Sequence, residues 1–396
     1  MCLWVIYRVK KEKQKKEKSN RSVLRICIVF LLIVFVVSMA TRYISDEEFR
    51  DTFDTVILRK TVNVSNLNAI EINSDVNPYI YAYDRYITVL SKNTLLSHVY
   101  NGGVNAKFDV NISVPIMVSN GKYLVLAEKN GQKIYLISGS NILWQNDIEG
   151  NISKISVNKN GYVSVIVSNT LYKSVVILFD VAGNELFKTY ISTYQAVCAE
   201  VSNSNKYLAI GEVDYSGTII KSNVRIISVD LARSNPDESV VNTYESGTGE
   251  VITNIKYKDN ETAICMFNTY VQKITPTNRD RIYEITSDDI FIDIGLKDSI
   301  AIVDKQSSGL FSHNYNLNIK NIKNKSDSLY ILKSVPKTFI VNGNIMGLNF
   351  GNKIEIVNSN GWLLKSYTGV KEIQNLVLGD NIAGIVYKNK IEIINF

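Results

Sequence analysis

The chain has few of the residues that build disulfide scaffolds, metal sites and catalytic triads. Its 396 residues include only four cysteines, two histidines and five prolines. Two of the cysteines, Cys198 and Cys265, lie outside the N-terminal region, so the sequence allows one bridge between them or two buried thiols. His98 and His313 are far apart in polar contexts and are expected at the surface. We therefore predict no catalytic residues, no cofactor and no metal site.

The chain also has only one long apolar run, residues 22–41 (SVLRICIVFLLIVFVVSMAT). A helix of about 20 residues is about 30 Å long, which is enough to cross the hydrocarbon core of a bilayer. We predict that residues 22–41 form a transmembrane signal anchor. The small residues around Ala40 leave an alternative, in which a signal peptidase cleaves the chain there and releases the rest.

Positive charge is concentrated ahead of this run. Residues 1–25 contain nine basic and two acidic residues, which leaves 35 basic and 36 acidic residues in the remainder. By the positive-inside rule, residues 1–21 form a basic cytoplasmic tail and the residues after the span are extracytoplasmic. The tail and the span predict contact with membrane lipid. Because the remainder is nearly neutral, we expect no nucleic-acid partner.

Beyond the span, the pattern changes from helix to strand. Residues 42–60 place apolar side chains at helical spacing and predict a short juxtamembrane stalk. Residues 61–396 form short runs rich in Ile, Val, Tyr and Thr, separated by turns containing Asn and Gly. This region is predicted to be all-β.

An internal repeat identifies the architecture. The segments NIMGLNFGNKIEIVN (344–358) and NIAGIVYKNKIEIIN (381–395) share nine of 15 residues at an offset of 37. That period is typical of propeller blades with four strands each. We predict a β-propeller with eight blades rather than seven. The first strands are placed near Tyr79, Pro115, Ser153, Gln195, Val251, Ile290, Thr338 and Ile373.

The last repeat stops after its third strand, at KIEIINF. A fourth strand must come from elsewhere, and residues 61–72 are left over to supply it. We therefore predict that an N-terminal strand completes the last blade and closes the ring, which removes the exposed sheet edges of an open array.

Residues 160–187 (NGYVSVIVSNTLYKSVVILFDVAGNELF) and 189–230 resemble a family of uncharacterised Gram-positive bacterial membrane proteins. The resemblance implies a short cytoplasmic N-terminus, one span and an outer propeller of the WD40 or quinoprotein type, and it implies no activity. A weaker likeness to quinoprotein and outer-membrane-assembly propellers rests on Trp144 and Trp362, while Phe187 replaces tryptophan in the third unit. Quinone binding is not expected.

Two features are candidates for a contact surface. The segment Gly211 to Asn223 is predicted to be an unusually long connection within one blade, and long loops often carry binding functions. Its candidate residues are Val213, Asp214, Tyr215, Ser216, Gly217 and Thr218. The second feature is an aromatic cluster, of which the first three members share one face of an extended segment. Its members are Tyr79, Tyr81, Tyr83 and Tyr86.

The sequence favours a membrane-anchored binding module whose partner is an unidentified envelope protein or glycan, and it predicts no catalysis. One alternative is a propeller hydrolase that acts on glycans, which needs paired carboxylates near the ring axis. The acids considered for this role are Glu200, Glu212, Asp214, Asp289 and Asp293. Another alternative is an outer sensor that signals through the basic tail.

Overall fold

The computed structural model describes residues 27–43, 53, 67–73, 77–168, 171–307, 313–323 and 326–396. The chain divides into two compact units, residues 1–62 and 63–396. In the first unit, residues 27–43 form helix α1, and the ring of Tyr43 lies 5.5 Å from the ring of Phe53 in an edge-to-face arrangement. The tail, most of the stalk and residues 22–26 lie outside the described residues.

The predicted membrane span is not confirmed. Within the described part of the chain, no helix is both long and apolar enough to cross a membrane. The side chains from Ile28 to Val37 on α1 are nevertheless apolar, and each is between 48% and 65% exposed.

The second unit is an eight-bladed β-propeller, as predicted. Strand β1 (Ala69–Glu71) is followed by a first blade of β2 (Tyr79–Tyr83), β3 (Tyr86–Ser91), β4 (Thr94–His98) and β5 (Val104–Asp109). The second blade contains β6 (Pro115–Asn120), β7 (Tyr123–Glu128), β8 (Lys133–Ser138) and β9 (Asn141–Asp147). The third contains β10 (Asn151–Val157), β11 (Val163–Ser168), β12 (Ser174–Phe179) and β13 (Glu185–Ile191).

The fourth blade contains β14 (Gln195–Val201), β15 (Tyr207–Asp214), β16 (Lys221–Ser228) and β17 (Val240–Glu245). Helix α2 (Val229–Ser234) and a 3-10 helix (Pro236–Glu238) connect its last two strands. The fifth contains β18 (Ile252–Tyr257), β19 (Ala263–Phe267), β20 (Tyr270–Ile274) and β21 (Arg279–Glu284). The sixth contains β22 (Asp289–Asp293), β23 (Ser299–Ser307), β24 (His313–Asn321) and β25 (Ser328–Leu332).

The seventh blade contains β26 (Thr338–Asn342), β27 (Ile345–Asn349), β28 (Lys353–Asn358) and β29 (Leu363–Thr368). The eighth contains β30 (Asn375–Leu378), β31 (Ile382–Val386) and β32 (Lys390–Asn395). All blades are antiparallel, and the strands within each of the first seven follow chain order. Each predicted first strand starts within two residues of the observed one.

The N-terminal strand closes the ring, which confirms the closure predicted from the incomplete last repeat. In the eighth blade the order is β1, β32, β31, β30, and Ile70 pairs with Ile391 in antiparallel register. Ile70 is 5% exposed and belongs to a hydrophobic cluster formed by the first and eighth blades. The closing strand therefore contributes to the core as well as to the hydrogen-bonded sheet.

The core of the propeller lies between the blades. The described buried residues form eight hydrophobic clusters, and each cluster joins two neighbouring blades. The first strands of neighbouring blades are adjacent, for example β2 beside β6, β10 beside β14 and β26 beside β30. The first strands therefore surround the axis of the ring, and β1 and the fourth strands of the other blades form its circumference.

The two repeated segments share residues because they make the same contacts between blades. In the seventh blade, Glu355 accepts hydrogen bonds from Lys353 Nζ (2.5 Å) and from Tyr330 Oη (2.9 Å) of the sixth blade. In the eighth blade, Glu392 accepts equivalent hydrogen bonds from Lys390 and from Tyr367 of the seventh blade. The glutamate of the repeated Lys-Ile-Glu sequence therefore fastens each of these two blades to the one before it.

The two cysteines of the propeller are free and buried, so the alternative of a bridge between them is wrong. Burial raises the pKa of the Cys198 thiol to about 12, and it raises that of Cys265 as well. His98 is 6% exposed, and its Nδ1 lies 3.0 Å from the Gly102 carbonyl oxygen, so the surface position predicted for it is also wrong. The side chain of His313 lies outside the described residues.

Candidate functional site

The predicted long connection in the fourth blade is shorter than expected. β15 continues to Asp214 and β16 begins at Lys221, and these two residues form the last pair of the hairpin. The connecting loop is therefore residues 215–220, and Val213 is a buried strand residue that is 7% exposed. Gly211 is also a strand residue, paired with Val224. The position favours glycine because a Cβ atom there would lie 2.5 Å from Cys198 Sγ, closer than van der Waals contact allows.

The start of the loop is held in a fixed conformation by Asp214. Its carboxylate oxygen Oδ1 accepts hydrogen bonds from the backbone nitrogen of Ser216 (3.0 Å) and from its hydroxyl (2.6 Å). These hydrogen bonds lower the pKa of Asp214, and the nearby Lys173 and Lys221 act in the same direction. The acid therefore acts as a turn cap, which is an ordinary role for Asp at the start of a loop.

The loop belongs to an exposed apolar surface that we call the blade 3–4 patch. The Lys173 ammonium donates a hydrogen bond to the Thr193 carbonyl oxygen (2.6 Å) and lies 5.1 Å from the centre of the Tyr215 ring. The rings of Tyr172 and Tyr190 are 4.8 Å apart. The patch consists of Leu171, Tyr172, Tyr190, Tyr215, Ile219 and Ile220. Five of these side chains are between 43% and 83% exposed, and Tyr172 is partly buried.

The position of the patch follows from the strand directions. The loop 215–220 connects the second and third strands of a blade, so it lies at the end of the ring where the first strands begin. β1 runs antiparallel to β32, and the propeller chain therefore enters the ring at the opposite end. The predicted contact residues do not include Ile219 and Ile220, although two adjacent aliphatic residues in an otherwise polar loop are noticeable in the sequence.

The predicted tyrosine cluster is mainly packing between the first two blades. Tyr83 is fully buried, and its hydroxyl donates a hydrogen bond to the Gly139 carbonyl oxygen at 3.4 Å. The Tyr81 hydroxyl lies 3.2 Å from Ser119 Oγ, and the ring of Tyr86 lies 5.4 Å from that of Tyr83. Only Tyr79, at 49%, is largely exposed. These four side chains therefore do not form a common exposed face.

Charged residues of the first strands meet around the axis of the ring. Glu200 on β14 is bonded to the Lys256 ammonium on β18 (3.2 Å). Burial lowers the pKa of Lys256, but the charge and hydrogen bonds of Glu200 outweigh it, so that the pKa is raised overall. Burial raises the pKa of Asp293 on β22, although the backbone N–H of Gly295 and the nearby lysines oppose this effect. The axial acids are thus already engaged by the protein.

The other acids considered for catalysis are also bonded within the fold. Glu212, which is 2% exposed, is paired with Arg225 on the neighbouring strand. Asp289 accepts hydrogen bonds from the Tyr283 hydroxyl (2.7 Å) and from the backbone nitrogen of Thr286 (2.8 Å). Among the described residues, no three His, Cys, Asp or Glu side chains are grouped closely enough to hold a metal ion.

Asp289 also faces a second acid. It pairs directly with Asp304 across β22 and β23, and like charges in such a pair are unfavourable. Burial raises the pKa of Asp304, with the charge of Asp289 as the second cause, while the amide of Asn318 donates a hydrogen bond to it at 2.8 Å.

We expect Asp304→Asn to raise the free energy of unfolding at pH 7 by up to about 1 kcal/mol. The pKa of Asp304 is higher in the folded state than in the unfolded chain. Asp304 therefore does not lower the free energy of unfolding at low pH, where it is protonated in both states. It lowers this free energy increasingly as the pH rises through the raised pKa. Urea unfolding should show a larger gain at pH 7 than at pH 4. The exposed Asp237→Asn serves as the control, and an equal gain at both pH values would contradict this explanation.

The tryptophans differ in their placement. Trp144 is 8% exposed, its ring lies 5.6 Å from that of Phe179, and the close approach of Gly183 to the indole leaves no room for a side chain there. Phe187 is likewise buried in the third blade. Trp362 is 57% exposed, so the blade docking performed by Trp144 is not repeated in the seventh blade.

Comparison with known proteins supports the fold and identifies the family. The C-terminal WD40 domain of Sif2 is 12% identical with a TM-score of 0.55, covering 83% of this chain and 99% of that chain. A eukaryotic initiation factor is 12% identical with a TM-score of 0.50, covering 82% and 87%. BamB from Moraxella catarrhalis is 11% identical with a TM-score of 0.46, covering 84% and 97%.

At 12% identity, the similarity to the first two of these structures shows the β-propeller fold alone. No curated protein matches the sequence significantly. One family of unknown function, DUF5711, matches residues 57–396, which include the whole propeller. The chain therefore belongs to the DUF5711 family.

Proposed function

We propose that this protein is a binding module, in which the propeller holds a protein partner through the blade 3–4 patch. The observation that supports this most strongly is the patch itself, which places exposed aromatic and aliphatic side chains from two neighbouring blades at one end of the ring. Exposed apolar side chains concentrated at one end of a fold are a usual mark of an interaction site.

The hairpin that carries Tyr215, Ile219 and Ile220 is well ordered, so binding a partner should cost it little conformational entropy. Eight consecutive residue pairs join β15 to β16, from Tyr207 with Ser228 to Asp214 with Lys221. The loop is fixed at one end by Asp214 and at the other by the hydrogen bond from the Gly249 nitrogen to the Ile220 carbonyl oxygen (3.0 Å). A partner therefore meets a surface that is largely ordered in advance.

The chemistry of the patch favours a protein over a glycan. Tyrosine rings can stack on sugars, but the aliphatic side chains Leu171, Ile219 and Ile220 offer no hydrogen bonds to hydroxyl groups. Buried apolar contacts with an aromatic anchor are typical of the centre of protein interfaces. Lys173 and Lys221 border the patch and suit an acidic residue at the edge of the partner's contact surface.

We also propose that residues 22–41 anchor the protein in a membrane, with the basic tail in the cytoplasm and the propeller outside. Support comes from the apolar sequence of residues 26–40, the nine basic residues among the first 25, and the exposed apolar side chains of α1. Retention as an anchor is favoured over cleavage near Ala40 because the preceding basic segment is long for a signal peptide.

This topology predicts a clear labelling pattern. In a Cys2→Ser/Cys27→Ser background, in which the two remaining cysteines are buried, a cysteine introduced at Lys60 should react with a membrane-impermeant maleimide in intact cells. A cysteine introduced at Lys15 should react only after the cells are permeabilised. Labelling of Lys15→Cys alone in intact cells would reverse the proposed orientation, and labelled Lys60→Cys protein in the medium would indicate cleavage.

Binding is tested by shortening the loop. Because Asp214 and Lys221 are the last pair of the hairpin, residues 215–220 can be replaced by Asn-Gly, which closes such hairpins in a favourable turn. The variant should keep the melting temperature of the wild type within a few degrees and lose capture of the partner found by cross-linking. Retained capture would contradict the proposal. Loss of a glycan-cleaving activity in Glu200→Gln or Asp293→Asn would instead indicate a hydrolase.

A further inference from the structure

The outermost strands of the blades differ in the charged residues that they carry. Sheet edges with unpaired backbone groups invite pairing with other chains, and charged side chains on the edge strand usually prevent it. Seven of the eight outermost strands described here, β1, β5, β9, β13, β17, β21 and β29, carry at least one charged residue. The exception is β25 of the sixth blade, whose sequence is Ser-Leu-Tyr-Ile-Leu.

The solvent-facing side chains of this strand are apolar. Leu329 is 54% exposed and Ile331 is 69% exposed, whereas Leu332 on the other face is 3% exposed and packs in the cluster between the sixth and seventh blades. Asp327 and Lys333, at the two ends of the strand, are also exposed. Because side chains alternate along a strand, the outer face presents an acid, two aliphatic residues and a base in that order.

Folding of the blade does not account for this apolar edge. On the same face, Leu329 pairs with Asn318 and Ile331 pairs with Asn316 of β24. Asn318 is hydrogen-bonded to Asp304, farther towards the ring axis. Polar side chains thus separate these aliphatic side chains from the core on that face. In most blades the apolar side chains lie inside and the polar ones outside, so the arrangement here is the reverse.

We propose that β25 pairs with β25 of a second copy of this chain, antiparallel and centred on Tyr330, to form a two-fold symmetric dimer. In this register Leu329 lies opposite Ile331 of the second copy. By symmetry, Ile331 also lies opposite Leu329 of the second copy. Asp327 lies opposite Lys333 of the second copy at both ends of the paired strands. Each contact occurs twice, as a two-fold interface requires.

Other pairings of the two strands lose these contacts. A parallel arrangement in register places Asp327 beside Asp327 and Lys333 beside Lys333, and like charges in such pairs are destabilising. An antiparallel arrangement shifted by two residues places a charged side chain opposite an aliphatic one. The self-complementary order of charges therefore selects a second copy of the chain, in one register, over an unrelated extended segment.

The charges allow a reversal experiment on the full-length protein, purified in mild detergent and studied by sedimentation velocity. The wild type should sediment as a dimer. Asp327→Lys and Lys333→Asp should each weaken the dimer at least tenfold, because each places like charges opposite one another twice. The double variant restores opposite charges and should restore the dimer. A monomeric wild type, or a double variant weaker than both single variants, would overturn the proposal.

A second measurement separates this edge from any other contact between copies, including one through α1. Ile331→Lys should give monomers, whereas Val240→Lys on the outermost strand β17, which is 43% exposed, should not. In the Cys2→Ser/Cys27→Ser background, differently tagged copies carrying Leu329→Cys and Ile331→Cys should form a mixed disulfide when combined. Absence of this disulfide, or dimers that persist in Ile331→Lys, would show that β25 is not the interface.

Discussion

A chain that begins at Asn77 is expected to aggregate or to unfold far below the temperature at which a chain beginning at Asn63 unfolds. The shorter chain lacks β1, so the backbone of β32 loses its partner strand and becomes an open sheet edge. It also lacks Ile70, a buried member of the cluster that joins the eighth blade to the first. The eighth and first blades would then be joined without the strand that closes the ring.

A point substitution tests the same junction without removing any backbone. Ile70→Ala should lower the free energy of unfolding by about 2–5 kcal/mol, as is usual for a buried aliphatic residue. Glu71→Gln, at the exposed end of the same strand, should change it by less than about 0.5 kcal/mol. Equal unfolding curves for the two truncated chains, or an unaffected Ile70→Ala, would mean that closure contributes little.

The second large effect is expected at Lys258, a buried lysine just after β18 that holds the turn between β22 and β23. It is 7% exposed, and burial lowers its pKa to about 7. Its ammonium group donates hydrogen bonds to the carbonyl oxygens of Ile294 (2.5 Å), Leu296 and Ser299 (3.2 Å). Three acceptors match the three N–H groups of the charged form, so this contact fastens the fifth blade to the sixth.

Lys258→Met should lower the free energy of unfolding by about 1–3 kcal/mol, because the carbonyl oxygens of Ile294 and Ser299 lose this donor, while the Leu296 oxygen keeps the hydrogen bond from the Ser299 nitrogen (3.3 Å). Lys297→Met removes an exposed lysine from the same turn and should be nearly neutral. Urea unfolding of both variants provides the measurement. A Lys258→Met protein as stable as the wild type would show that water or other groups satisfy the three carbonyl oxygens.

The blade number and ring closure could be predicted because both depend on local pattern. Alternating β-branched and polar residues mark the strands, and short turns such as the one containing Asp84, with a φ of 47°, mark the hairpins. The incomplete last repeat indicated a missing strand, and the leftover N-terminal segment supplied it. These features can be recognised in the sequence without knowing which blade faces contact each other.

The candidate surfaces were harder to predict because they depend on contacts between blades. Gly211 and Asp214 read as loop residues, yet Gly211 is required by the close approach of Cys198, and Asp214 ends a strand. The tyrosines of β2 do share a face, but Tyr81 and Tyr83 on this face pack against the second blade, and only Tyr79 is largely exposed. The outermost position of β25 has no local signature, since it depends on the strand order within the sixth blade.

Photo-cross-linking from the blade 3–4 patch in intact cells tests the proposed binding function most directly. The full-length protein would carry a photoreactive phenylalanine analogue at Tyr215, which is 56% exposed in the patch, or at Tyr100, which is 58% exposed at the opposite end of the ring. We expect one discrete protein adduct from position 215 that is absent from position 100. It should disappear when Ile219 and Ile220 are changed to serine. The same adducts from both positions, or none from position 215, would contradict a partner-binding role for this surface.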